Sequence, residues 1–364
     1  MEVTILSQTT DQLMVEFKNV DVSVVNALRR TILTEIYSLV IRGFPHKENL
    51  IKIKKNTTKF NNEYIKHRLS CIPIHLHERA KFKALTKQIY LSIHYKNDSE
   101  NKYTLSTDDF KVIERRTDKI IKLPIFKTSI PICYIYPKVS STDPPEEFEA
   151  TIDLSRGTAK DDSCWNMVSK CTYYNVEDEE AVKAKLEEVP EEDKRDFELL
   201  NAQRYYIKNR FNFIVETIHV YTNENIMIYA CEYILEQLKT LTKDTQELHI
   251  PLKTYKDVII EMHGYINITK NVIGNDTMYI LRLAKDDYTI GKLIEKYVYF
   301  KYKTSFKYIS FKKEHPHDLH SIIQLVFYDY TTESDQVLIE ILNESYKRIK
   351  DDFNKIKESF SKTA

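Results

Sequence analysis

The chain has 364 residues, 42% hydrophobic and 30% charged, with 54 basic and 54 acidic side chains that cancel to a formal charge of zero. That composition excludes an intrinsically disordered chain, and its neutrality excludes nucleic-acid binding by bulk charge, leaving only a local patch. With 5 glycines and no GxGxxG or GxxxxGK(S/T) string, a fold built on phosphate-cradling loops is excluded too. The cysteines (Cys71, Cys133, Cys164, Cys171, Cys231) are scattered and odd in number. They point to reduced thiols inside a cell rather than to a disulfide framework. No run of about 18 apolar residues spans a membrane, and the N-terminus lacks the pattern of a signal peptide.

In chain order, "VTILS" and "QLMVEFKNV" alternate around "QTTD" and predict a β-hairpin. "VNALRRTILTEIYSLVI" (25–41) predicts one helix, with Ser23 as its N-cap. On it Val25, Leu28, Ile32, Leu33, Ile36, Leu39 and Val40 form a broad apolar arc, with Arg29 inside and Arg30 at its margin. A guanidinium stays charged, and burying it unpaired costs several kcal/mol, so this helix must meet something that wants an arginine. Short strands are expected around "NLIKIKKNTT" and "LSCIPIHLH", and strand-like runs continue over 78–140 ("QIYLSIHY", "PICYIYP"). "SSTDPPEEFEA" reads as a loop. Residues 176–200 are strongly acidic, either a solvated helical surface or an acidic docking face.

"FNFIVETIHVY" returns to a period of two, and a helix follows with Met227, Cys231, Ile234, Leu238 and Leu241 at helical spacing. Residues 243–275 read as a join containing one strand-like run, "DVIIEMHGYINI". The rest predicts a strand ("MYILRLA"), a helix ("TIGKLIEKYVYF"), two strands ("SFKYISF", "SIIQLVFYDY") and a long helix. In that helix Leu338, Leu342, Tyr346, Ile349, Phe353, Ile356 and Phe360 recur every three or four residues. One helix cannot bury such a seam alone, so it needs a helical partner. "DVSVVNAL" at 21 and "DYTIGKLI" at 287 begin two helices alike: Asp21 matches Asp287, Ser23 matches Thr289, Val24 matches Ile290 and Leu28 matches Ile294. Each sets a hydroxyl N-cap before a helix that follows a strand. Two related modules packed helix against helix about a pseudo-twofold axis would account for the echo.

Catalytic chemistry is not indicated. Cys71, His75 and His77 form a C-x3-H-x-H string whose histidines would share one side of a strand, but no second cluster completes a zinc site. "HPH" at 315–317 reads as a turn, and the pairs Asp108/Asp109, Asp161/Asp162 and Asp286/Asp287 sit where aspartate caps and solvates. "KYVYFKYKTSFKYISFKK" (296–313) is the one candidate for a nucleic-acid face, with a solvated helix and exposed strand as its alternative.

"VNALRRTILTEI" followed by "NTTKFNNEYIKHRLSCIPI" resembles the alpha-like subunits of DNA-dependent RNA polymerases: bacterial alpha, its archaeal counterpart and the eukaryotic third subunit. The matching residues are Asn26 to Arg30, Asn56, Thr57, Glu63, His67, Arg68, Leu69, Ile72 and Pro73. "RGTAKDDSCWNMV" resembles a loop of the family's inserted domain through Gly157, Trp165 and Val168, with Met167 where proline is usual. The tail resembles the small alpha-like partner of archaeal and eukaryotic polymerases (the eukaryotic eleventh subunit) through Asp287, Thr289, Ile290, Gly291 and Leu293. Both partners in one polypeptide resemble the fused third/eleventh subunit of nucleocytoplasmic large DNA viruses.

The resemblance implies an α+β fold: a dimerisation module (1–77 and 205–243) interrupted by a β-rich domain with an acidic helical segment (78–204), a join (244–274) and a second module (275–364), paired as an intramolecular pseudo-heterodimer. It implies a non-catalytic assembly platform that docks the two large catalytic subunits and a small zinc-binding, tenth-subunit-like partner. Nucleic acid would be met only through the complex. The implied subunit-interface residues are Asn26, Arg29, Arg30, Asn56, Thr57, Glu63, His67, Arg68 and Trp165. An internal pair such as Arg29 with Glu63, or a structural hydrogen bond at His67, remains the alternative. Module pairing would fall to Leu28, Ile32, Ile36, Ile290, Leu293, Tyr297, Leu342, Ile349, Phe353 and Ile356. No metal or cofactor is expected, and the compartment would be the host cytoplasm or a virus factory. A free-standing nucleic-acid-binding regulator is the alternative function.

Overall fold

A computed structural model describes residues 1–138, 140, 142–246, 265–273, 276–284, 288–329 and 334–361. In chain order the elements are β1 (Glu2–Gln8), β2 (Gln12–Lys18), α1 (Val22–Thr34), β3 (Tyr37–Ile41), β4 (Ile51–Asn56), α2 (Asn62–Ser70), α3 (Phe82–Gln88), β5 (Ile89–Lys96), β6 (Tyr103–Ser106), β7 (Lys111–Glu114), β8 (Lys119–Ile121), β9 (Pro131–Ile135), β10 (Glu147–Ile152) and β11 (Leu154–Thr158). They continue as β12 (Val168–Glu177), α4 (Glu179–Glu188), the single turn α5 (Lys194–Asp196), β13 (Tyr206–Thr217), α6 (Asn223–Gln246), β14 (Ile266–Ile273), β15 (Asp276–Ala284), α7 (Ile290–Tyr302), β16 (Phe306–Lys312), β17 (His320–Phe327) and α8 (Ser334–Ser361). The fold is α+β. The chain forms two compact units, one of residues 1–32, 170–216 and 223–364, the other of residues 33–169 and 217–222. These borders fall at 32/33 and 169/170, whereas the motifs suggest 77/78 and 204/205.

The first unit holds two four-stranded sheets, ordered β1-β2-β13-β12 and β14-β15-β17-β16. In the first sheet Leu13, Val15 and Phe17 pair with Val215, Phe213 and Phe211, and all six are buried. Phe17 and Phe213 meet edge to face at 5.8 Å. In the second sheet Tyr279 and Leu281 pair with Leu325 and Ile323, again all buried. Alternation at period two puts these side chains on one face of each sheet, where helices can cover them. Between β12 and β13, α4 and the following turns carry a small core of Val182, Phe197 and Ala202. The acidic stretch is therefore folded around its own apolar residues.

The second unit is built on a five-stranded antiparallel sheet, β4-β10-β5-β7-β8. Ala150 and Ile152 of β10 pair with Ile93 and Leu91 of β5, and all four are buried. β3 pairs with β11 and β6 with β9 in two further ribbons.

Several sequence expectations are corrected. α1 stops at Thr34, and Tyr37–Ile41 is a strand. Four of that strand's five residues are buried, so it shows no alternation, and its apolar residues mimic a continuing helical arc. Ile36, Leu39 and Val40 therefore belong to the second unit and not to the α1 face. The α1 cap is Asp21, whose Oδ1 accepts the Ser23 N–H at 2.9 Å, while Ser23 itself is buried in the first turn. "LSCIPIHLH" is not a strand: Leu69 and Ser70 end α2, and 71–78 is irregular, since Pro73 has no N–H for a ladder. Within 78–140, Phe82–Gln88 is a helix. The expected loop ends earlier, because Glu147 to Ala150 already belong to β10. Asp286, Asp287 and most of the join lie outside the described residues, and the strand expected in "DVIIEMHGYINI" is described only from Ile266.

Candidate subunit interface

α1 and α7 each carry a buried apolar face. On α1, Val24, Val25, Ala27, Leu28, Thr31 and Ile32 are buried; on α7, Ile290, Gly291, Leu293, Ile294 and Val298. Arg30, at the edge of the α1 face, directs its Nε–H to the Thr289 Oγ1 at 3.0 Å, and its guanidinium carbon lies 5.9 Å from the centre of the Tyr288 ring. Thr289 precedes α7 but caps nothing with its side chain; the hydroxyl expected to close a helix end accepts an arginine instead. Arg29 is half-buried, and its Nε–H reaches Asn26 Oδ1, one turn back, at 3.1 Å.

α8 supplies the long seam. Leu338, Leu342, Tyr346, Ile349, Phe353, Ile356 and Phe360 are all at 0% exposure. The partner the seam needs is α6, whose Met227, Cys231, Ile234, Leu238 and Leu241 are equally closed, with α7 as a second neighbour. Polar groups also tie the helices: Thr245 Oγ1 to the Tyr346 hydroxyl at 3.4 Å inside the seam, and Lys350 Nζ to Thr242 Oγ1 at 2.7 Å and Lys357 to Glu232 at 2.8 Å beside it. Tyr297 of α7 donates to Asp352 Oδ2 of α8 at 2.6 Å. Burial, then the bond to Asp352, pushes the Tyr297 hydroxyl far above its ordinary range, so it stays protonated and donating.

The other implied residues belong to the second unit. Asn56 organises its own turn: its Nδ2 donates to Phe60 O at 2.9 Å and Asn62 Oδ1 at 2.8 Å, while its Oδ1 accepts from the Thr58 N–H and hydroxyl. Thr57 pairs with the backbone of Glu147, giving and receiving. Asn61 caps α2 by accepting the Tyr64 N–H at 2.7 Å. Glu63 and His67 are exposed, and Arg68 spends a terminal N–H on Pro131 O at 2.6 Å. Trp165 is turned inward at 4% exposure: its indole N–H donates to Ser70 O at 3.1 Å, and Arg42 lies 4.6 Å over its ring. Gly157 makes that seat possible, since a Cβ there would stand 2.6 Å from Trp165 Cε3.

Pattern reading missed the Arg30–Thr289 bond and the Arg42–Trp165 stack, because both join residues far apart in sequence. Neither leaves a local signal. The cysteines are free. Burial raises Cys133 to about 11 and Cys171 to about 12, leaving both as thiols at neutral pH. Among the described residues no group of three or more His, Cys, Asp or Glu side chains could hold a metal ion, and no helix is long and apolar enough to cross a membrane.

Residues 14–238 match the family model of the RNA polymerase Rpb3/Rpb11 dimerisation domain. The match covers well over half of the chain and includes the arginine helix, the α2 segment and the Trp165 loop. The chain belongs to this family. It is thus an RNA polymerase subunit by descent, and the matched region carries the family's dimerisation domain. In Rpb3/Rpb11 terms, the match ends inside α6, so the tail with α7 and α8 stands beyond it. No curated protein matches the chain.

Proposed function

We propose that this chain is the non-catalytic assembly platform of a multisubunit DNA-dependent RNA polymerase, a third-subunit-like module fused to an eleventh-subunit-like one. The two modules pair within one polypeptide, and the pair docks the two large catalytic subunits and a small zinc-binding subunit. The observation that carries this reading is the packing of α8 along α6 and α7, with α1 tied to α7 through Arg30 and Thr289. That is the helix-on-helix arrangement two related modules would use. Under this reading residues 1–77 and 205–243 form the first module, 78–204 its insertion and 275–364 the second. Fusion raises the effective concentration of one module for the other, so their pairing needs no separate encounter.

Arg29 is the arginine this reading assigns to a large subunit. It is half-buried, and its one described side-chain bond reaches only along its own helix. The rest of its fork suits a carboxylate or backbone carbonyls across an interface. His67 and Glu63, exposed on α2, are assigned alongside it. A viral origin and action in the host cytoplasm or a virus factory belong to the same proposal.

The test is affinity purification of the tagged chain from its native source, with mass spectrometry and an RNA-synthesis assay on the eluate. Two very large subunits in equal amounts, with template-dependent RNA synthesis, are expected. Recovery of the chain alone, without that activity, would overturn the platform reading.

A further inference from the structure

Three of the five cysteines are closed off in the core: Cys231 is fully buried, and Cys133 and Cys171 are nearly so. The other two meet within the second unit. Cys71 is exposed at the C-terminal end of α2, where its N–H binds His67 O and Arg68 O. Cys164 is half-buried in the short turn Ser163–Trp165, and its N–H binds the Asp162 carboxylate at 3.1 Å. The Cys164 thiol reaches Ser70 O at 3.6 Å, the carbonyl whose peptide bond leads into Cys71. The Trp165 indole N–H binds that same oxygen at 3.1 Å. The two thiols also lie within hydrogen-bonding reach of each other.

This meeting is fixed from both sides. The backbone of Cys71 is held by the last turn of α2, and that of Cys164 by Asp162. Trp165, the next residue, is locked at 4% exposure. Two sulfurs held so need only a short approach to the disulfide length of about 2.05 Å. One of them is open to solvent and the other is sheltered behind it, which gives a small oxidant a single point of entry.

We propose that Cys71 and Cys164 are a redox-sensitive pair that closes to a disulfide when the chain meets a small oxidising disulfide such as glutathione disulfide. Cys71, the exposed thiol, loses its proton and attacks one glutathione sulfur. The glutathione S–S bond breaks, one glutathione thiolate leaves and takes up a proton, and Cys71 carries the other glutathione as a mixed disulfide. Cys164 then loses its proton and attacks the Cys71 sulfur, forming the intramolecular bond and expelling the second glutathione thiolate, which is protonated in turn. Two electrons pass from the protein pair to the oxidant, and two glutathione molecules are released. Burial and the Asp162 carboxylate hold the Cys164 thiol far above its ordinary range, so the second step is the slower one. The closed bond fastens the Trp165 turn to the end of the helix that carries Glu63 and His67. The chemistry is independent of the polymerase reading, because the purified chain forms this bond or does not.

The test is to incubate the folded full chain with millimolar glutathione disulfide, block the remaining thiols with N-ethylmaleimide and map the peptides by mass spectrometry. A monomer lighter by two hydrogens is expected, with Cys71 and Cys164 in one cross-linked peptide and Cys133, Cys171 and Cys231 blocked only after unfolding. Dithiothreitol is expected to restore the starting mass. Cys164→Ser is expected to stop at the Cys71 mixed disulfide, and Cys71→Ser to consume oxidant at least about tenfold more slowly. An unchanged melting temperature checks that each variant is folded; if either fails that check, the wild-type peptide map still decides. A wild-type Cys71–glutathione adduct that never closes would overturn the proposal. So would a disulfide joining two copies through Cys71, or bonds spread over all five cysteines in the folded chain.

Discussion

Arg30 of α1 and Thr289 at the start of α7 are 259 residues apart in sequence and joined by a 3.0 Å hydrogen bond. The bond links two helices whose openings echo each other, and it uses the hydroxyl that the echo would assign to capping. Charge-assisted bonds of this type are worth about 1–3 kcal/mol when the surrounding groups are partly buried. Arg30→Ala is therefore expected to lower stability by about 1–2 kcal/mol, read as a shift of the urea midpoint at constant slope. Among the described residues the Arg29 side-chain bond runs along its own helix, and Arg29→Ala is expected to cost less than about 0.5 kcal/mol, while reducing recovery of the large subunits in the affinity experiment. Equal midpoints for wild type and Arg30→Ala would show that the bond contributes nothing. Undiminished recovery with Arg29→Ala would return that arginine to the chain's own interior.

The α6–α8 seam should dominate the stability of the first unit. Phe353 is fully closed in the C-terminal half of α8, so Phe353→Ala removes its transfer free energy and leaves a cavity. The expected loss is about 3–5 kcal/mol. Lys357→Ala, which breaks the part-exposed pair with Glu232, is expected to cost less than about 1 kcal/mol. Chemical denaturation of the two variants compares the contributions directly, and similar small losses would show that the seam is loosely packed.

What was legible in the sequence follows from which signals are local. The α8 seam was plain because its period persists over the whole helix, and a buried stripe that long has one physical meaning. The α1 boundary was not, because Tyr37–Ile41 is buried on both faces and its apolar run carries no strand alternation. Ser23 looked like a cap because it precedes an apolar run, yet Asp21, two residues earlier, does that work. Asn56, Thr57 and Trp165 were legible as a motif, but the motif could not say where they point. In the fold Asn56 and Thr57 spend hydrogen bonds on their own unit, and Trp165 is closed to solvent.

Gly157 allows a specific stability test. An alanine Cβ there would stand 2.6 Å from Trp165 Cε3 and 2.8 Å from Val40 Cγ2, so the indole or the β3 strand must shift. Gly157→Ala is expected to destabilise the protein by about 1–3 kcal/mol. Trp165 is the chain's only tryptophan, so its fluorescence reports on the site alone. A red shift of the native emission is expected as the indole loses its seat against Ser70 and Arg42. Unchanged emission together with unchanged stability would mean the loop absorbs the methyl group without cost.

His75 gives the second unit a predictable response to acid. Its side chain is almost closed to solvent, and burial, reinforced by the nearby charges of Lys127, His77 and His219, holds its pKa below the ordinary value of about 6.5, with a bond to the Ile218 backbone opposing. The geometry agrees, since His75 Nδ1 accepts the Lys127 N–H at 3.4 Å and must be unprotonated to do so. The unfolded chain takes up a proton near pH 6.5 that the folded one refuses. Unfolding then binds protons, and stability falls as pH drops through that value. Above it the term is fully present. Urea melts of wild type and His75→Gln between about pH 8 and pH 5.5 separate this group from the other histidines. The variant is expected to start less stable and to lose less on acidification, so the two curves converge. Parallel curves would show that His75 titrates alike in both states and that its burial carries no electrostatic cost.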